Sequence, residues 1–128
     1  MFGPALAALL LVGCGAGTES STEAFSGEDK RVAQVIEDLQ TAGANGEAEE
    51  ICSRILSAQL VDRLGSGGTS CAQELDDALA DADDFELDVE KVEVNGTRAT
   101  ATVSDSDGRA KAVQLVRERD GWRVSELA

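Results

Sequence analysis

Three cysteines, Cys14, Cys52 and Cys71, are the side chains best suited to chemistry in this 128-residue chain. They allow three pairings, and a thiolate can also act as a nucleophile or a metal ligand. The chain contains no His. That removes the usual general base, the Ser-His-Asp and Cys-His arrangements, and the commonest zinc ligand. Carboxylates are plentiful, with 25 Asp and Glu against 11 Lys and Arg and a net charge of −14. Such a surface repels nucleic-acid phosphates and anionic lipid headgroups, so nucleic acid is not an expected partner. Asp105-Ser106-Asp107-Gly108 has the opening of a calcium loop, but the twelfth position is Val116 where the loop needs Glu, so a hairpin turn is expected. Residues 76–84, "DDALADADD", read as a solvated acidic helix end. Asn95-Gly96-Thr97 matches a glycosylation triplet, but Asn-Gly between alternating strands reads first as a turn. Neither a metal nor a cofactor is expected.

At the start of the chain, residues 5–12, "ALAALLLV", are apolar without interruption. The run is too short to span a bilayer and suits the core of a secretory signal. Leu11-Val12-Gly13-Cys14 resembles the lipobox of bacterial lipoproteins, although "MFGPA" before the run lacks the Lys or Arg such signals carry. The resemblance implies cleavage before Cys14, a lipid on its sulfur, and a protein held on the extracytoplasmic side of the cell membrane. Residues 1–13 are then a signal peptide. Residues 14–27, small and polar with one Phe, form a flexible tether. With Cys14 acylated, Cys52 and Cys71 remain to pair. Export makes that disulfide plausible, and the chain-entropy argument gives roughly 3 kcal/mol for the closed segment.

The elements that position these residues follow from periodicity. Val32, Val35, Ile36 and Leu39 mark one face of a helix opened by Ser26, with Asp29 as capping partner, and ended by "AGANG". A second helix starts near Glu47, with Ile51, Cys52, Ile55 and Leu56 inward; Ser57 restarts a short helix, "AQLVDRL". Ser70 and Gln73 cap a third main helix with Cys71, Leu75, Ala78 and Leu79 inward. From Phe85 the period becomes two. Phe85, Leu87 and Val89 alternate, and the parity shift to Val92 and Val94 calls for a bulge near Glu90-Lys91. Turns at Asn95-Gly96, residues 105–108 and Asp120-Gly121 then divide four antiparallel strands.

The expected fold over residues 28–128 is therefore α+β, with three N-terminal helices on a curved four-stranded antiparallel meander. "VEVNGTRATATV" followed by "VQLVRERDGWRVSEL" resembles the cystatin-like cone of the nuclear transport factor two-like superfamily. More narrowly, the chain is similar to that superfamily's small secreted lipoproteins from high-GC Gram-positive bacteria, in which Cys52, Cys71 and Gly121-Trp122-Arg123-Val124 have counterparts. The resemblance implies a cone whose mouth is lined or filled by Phe85, Leu87, Val103, Leu115 and Trp122. Some superfamily members are ketosteroid isomerases with an Asp base and a Tyr/Asp oxyanion hole. This chain has no Tyr, and alternation turns Asp88, the nearest strand carboxylate, away from Leu87 and Val89. The expectation is a non-catalytic domain that binds a small apolar ligand or a cell-envelope protein, the latter through a sheet face bearing Arg98, Thr100 and Thr102. The alternative is a small isomerase or hydrolase using carboxylates in the cone.

Overall fold

The computed structural model describes residues 25–80 and 86–127. Cys14, the signal segment, nearly all of the tether, and Phe85 lie outside the described residues. Helix α1, Gly27–Ala44, buries Val32, Ala33, Ile36, Leu39, Ala42 and Gly43 along one stripe, with Val35 half-buried beside it. Glu28 and Asp29 stand in its first turn, where the helix dipole favours anions. Ser26 occupies the N-cap position, but its side chain makes no capping hydrogen bond. The expected capping box needs a right-handed first residue, whereas Gly27 turns the chain in at φ 62°. Phe25 packs partly buried against the core.

After Glu47 the chain forms α2, Ala48–Glu50, which widens into a π-helical turn over Ile51–Ile55. The turn closes with the Leu56 amide donating to the Ile51 carbonyl at 2.9 Å. Leu56 is extended and bridges Val124, whose carbonyl accepts from the Ser57 amide at 2.8 Å. This contact fastens the helical layer to the edge of the sheet. Ser57, 1% exposed, then caps α3, Ala58–Leu64, by accepting from the Leu60 amide at 3.2 Å. The described helices therefore number four, the three main ones expected and the short restart at Ser57. The extended link at Leu56-Ser57 makes the "AQLVDRL" segment a separate, independently capped element.

Helix α4, Cys71–Ala80, opens with the expected reciprocal box. The Ser70 hydroxyl accepts from the Gln73 amide at 3.2 Å, and the Gln73 side chain accepts from the Ser70 amide at 3.3 Å. Its expected inner face is only partly buried: Cys71 is buried, Leu75 and Leu79 are half-buried, and Ala78 is exposed. Cys71 is joined to Cys52 by a disulfide with Cα atoms 6.2 Å apart. The bond thus draws one end of a peripheral helix to the core and leaves the other end at the surface.

The sheet is a meander in the order β1-β2-β3-β4, comprising β1, Asp88–Asn95; β2, Arg98–Ser104; β3, Ala110–Glu118; and β4, Gly121–Leu127. Asn95 pairs with Arg98, so the first hairpin loop is Gly96-Thr97, with Gly96 at φ 63°. Between Val89↔Val103 and Lys91↔Thr102 the register slips at Glu90, the expected bulge. A second slip leaves Ser125 extra between Val124 and Glu126. Val89, Val92, Ala99, Ala101, Val103, Val113, Leu115, Trp122 and Val124 are buried with the apolar stripe of α1 and with Ile51, Ile55 and Leu56. Many inward residues are Ala or Val, which brings helix and sheet backbones close.

Candidate functional site

Glu28, Arg31, Val35 and Asp38 recur at helical spacing on a face of α1 next to its buried stripe. Facing them are Arg117 near the end of β3, Asp120 in the following turn, and Trp122 and Arg123 at the start of β4. Arg54, from the π-helical turn, completes one side. Together these residues bound an open cleft of about 510 Å³. Its depth is set by the sheet: Arg117 pairs with Trp122 across β3 and β4, and Trp122 is 5% exposed. A buried indole needs a partner for its N–H. Here the Trp122 Nε1 donates to the Glu28 Oε2 at 2.6 Å, while the Arg31 guanidinium contacts the Glu28 Oε1 at 3.2 Å. The Trp122 hydrogen bond, more than any other influence, holds the Glu28 carboxyl below its usual range; Arg117 and Arg31 act in the same direction.

The remaining charges are held unequally. Arg123, with only 15% of its side chain exposed, donates to the Ser53 carbonyl at 3.2 Å and to Asp120 at 3.5 Å. Arg54 and Arg31 are mostly exposed and make helical pairs with Glu50 and Glu28. Partial burial pushes the Asp38 carboxyl up, with Glu37 and Glu50 adding to the rise and Arg54 opposing it. A smaller cleft of about 340 Å³ continues along α1 past Asp38 and Arg54 to Glu47 and Glu50. There the neighbouring Glu50 carboxyl, by hydrogen bonding and by like charge, raises the Glu47 pKa.

Of the five side chains expected to line or fill a cone, Val103, Leu115 and Trp122 are buried in the core. Leu87 packs against it half-buried, and its amide donates to the Gln40 side chain. Trp122 also forms part of the cleft wall. Arg98, Thr100 and Thr102 lie on the opposite sheet face, where Arg98 and Thr100 border a groove with Gln114 and Arg63. Asp88 is exposed. The 105–108 segment is a turn: Asp105 Oδ1 accepts from the amides of Asp107 and Arg109 at 3.0 and 2.9 Å. The Arg109 amide is the main influence lowering the Asp105 pKa, with the Asp107 amide and the Lys111 and Arg109 charges assisting. No group of three or more Asp, Glu, Cys or His among the described residues is placed to hold a metal.

The grouping of Arg31, Arg54, Arg117 and Arg123 was not foreseen from the sequence. The four come from a helix, a π-helical turn and two strands. The local signals were only the pairs Glu28-Arg31 and Asp120-Arg123 at i, i+3 and Glu50-Arg54 at i, i+4, none of which says that the arginines meet. Among the described residues no helix is long and apolar enough to cross a membrane. Comparison with protein-family models, curated proteins and solved structures finds no match to the chain.

Proposed function

We propose that this chain is a lipoprotein, anchored through Cys14 on the extracytoplasmic side of the cell membrane, whose domain binds a cell-envelope protein without catalysing a reaction. The domain belongs, on this reading, to the cystatin-like, nuclear transport factor two-like kind. Four strands in simple meander order behind the helices, with bulges in β1 and β4 that bend the sheet, support that assignment. The lipobox-like Leu11-Val12-Gly13-Cys14 supports the anchor, and the Cys52–Cys71 disulfide suits an oxidising compartment.

One observation carries the choice of a protein over a small apolar ligand. Val103, Leu115 and Trp122, which an apolar pocket would use, are packed into the core, and the clefts described above are open and bordered by charged and polar groups. Small-ligand sites are instead mostly apolar and enclosed. Asp38, the carboxyl raised by burial, stands at a polar surface; that favours binding over the isomerase or hydrolase alternative.

The test is photo-crosslinking on intact host cells from a probe at Thr100 or Gln34, combined with native mass spectrometry of the domain purified from that host. A discrete adduct of protein mass is expected. A copurified small molecule with no protein adduct overturns the protein-partner reading. For the anchor, C14S is expected to leave the detergent phase that retains the wild-type protein; equal partitioning overturns lipidation.

A further inference from the structure

We infer that the cleft between α1 and the β3–β4 turn is a carboxylate-recognition site, and that it takes an acidic peptide segment of the partner protein. This inference rests on the binding reading above and names the chemistry of its contact. In a chain of net charge −14, Arg31, Arg54, Arg117 and Arg123 gather around one cleft. All four cations are guanidiniums, whose planar fork matches carboxylates in a bidentate way that a lysine does not.

The four have separable roles. Arg117 is exposed, and its guanidinium has no hydrogen bond or ion pair among the described residues, although it lies near enough to Glu28 to help lower that carboxyl's pKa. It is the cation open to an incoming carboxylate. Arg31 and Arg54 are held only by exposed intrahelical pairs, which are weak and exchange readily for a ligand oxyanion. Arg123 is fixed by Ser53 and Asp120 and forms the stationary part of the floor.

The acids in the lining select among anions. Glu28, Asp38 and Asp120 line the same cleft as the guanidiniums. A polyphosphate would bring its concentrated charge against them. Side-chain carboxylates spaced along a peptide carry one charge each and can address the arginines separately. The acidic surface elsewhere repels such a peptide only at long range, and the Debye length of about 8 Å at 0.15 M salt screens that repulsion.

The chain's single tryptophan is Trp122, in the wall of the cleft, so it is a built-in reporter. The experiment follows the Trp122 indole N–H resonance of the oxidised protein in 0.15 M salt while an acetylated, amidated tri-glutamate peptide is added. The tri-glutamine peptide is the neutral control. A saturable shift is expected with tri-glutamate alone. R117Q is expected to weaken binding about tenfold, as for loss of one charged hydrogen-bond donor. R98Q, on the other sheet face, is expected to leave affinity unchanged. Arg117 is exposed, and an unchanged Cys52–Cys71 bond and melting profile in R117Q will show that its fold is intact. No saturable shift, an equal response to tri-glutamine, or equal weakening by R117Q and R98Q overturns the inference. If the peptide fails while the cell-surface adduct forms, the carboxylate-recognition inference falls and the protein-binding reading survives. If the adduct is absent as well, both readings fall.

Discussion

The Glu28 carboxylate joins the first turn of α1 to the start of β4 through the Trp122 indole. Its folded pKa is depressed from 4.5, so near that pH the unfolded chain binds more protons than the folded one. The contribution is present above the unfolded value and is lost as pH falls through the folded value. Thermal melts from pH 6 to pH 3 are therefore expected to show wild type losing stability relative to E28Q, whose amide can still accept from the indole. Parallel pH curves for the two proteins would show that the hydrogen bond does not favour the charged form. Ser57 makes a second residue-scale case. Its buried hydroxyl caps α3 next to the Leu56–Val124 bridge. S57A is expected to cost about 1 kcal/mol in urea unfolding, the usual loss for such a cap. The expectation of a restart at Ser57 came from Ser preceding an amphipathic run. Ser26 had the same local signal, yet its side chain makes no capping bond, because Gly27 enters left-handed.

At the scale of elements, α4 is the one held least by packing. Cys71 is its only fully buried residue, whereas α1 buries a continuous stripe. The disulfide closes a sequence separation of 19, and the chain-entropy argument assigns roughly 3 kcal/mol to such a loop. C52S/C71S is expected to lower Tm by about 15 °C, given the usual entropy of unfolding for a domain near 100 residues. Amide exchange in the variant should quicken over residues 71–80 well before it does over 27–44. Uniform acceleration would mean that α4 is integral to the core. The strands were legible because their alternation, turns and one bulge are local properties. The inner face assigned to α4 was not: Ala78 fits helical periodicity, but periodicity cannot tell how far a helix leans away from its neighbours.

Across the whole molecule charge is divided unevenly. Over residues 27–80 as a whole acids outnumber bases, 11 to 4, while residues 98–127 are nearly balanced and carry Arg98, Arg117 and Arg123. Self-repulsion of the helical half opposes compaction. Raising NaCl from 10 mM to 0.15 M is expected to raise Tm by a few degrees, because the screening length shortens from about 30 Å to about 8 Å. A fall in Tm would show that ion pairs outweigh repulsion. The α+β class, the number and order of the strands, the Cys52–Cys71 pairing and the lack of imidazole chemistry were all open to sequence reading; the start of β1 at Asp88, not Phe85, was not. They depend on residue identity, on spacing within one element, or, for the pairing, on a motif at Cys14. The arginine cleft, the Trp122–Glu28 bond and the packing of Val103, Leu115 and Trp122 into the core were decided by tertiary structure. Trp122 and Glu28 are 94 positions apart. Whether they meet depends on the angle at which α1 crosses the sheet and on the end of the β3–β4 hairpin, and no local pattern encodes either.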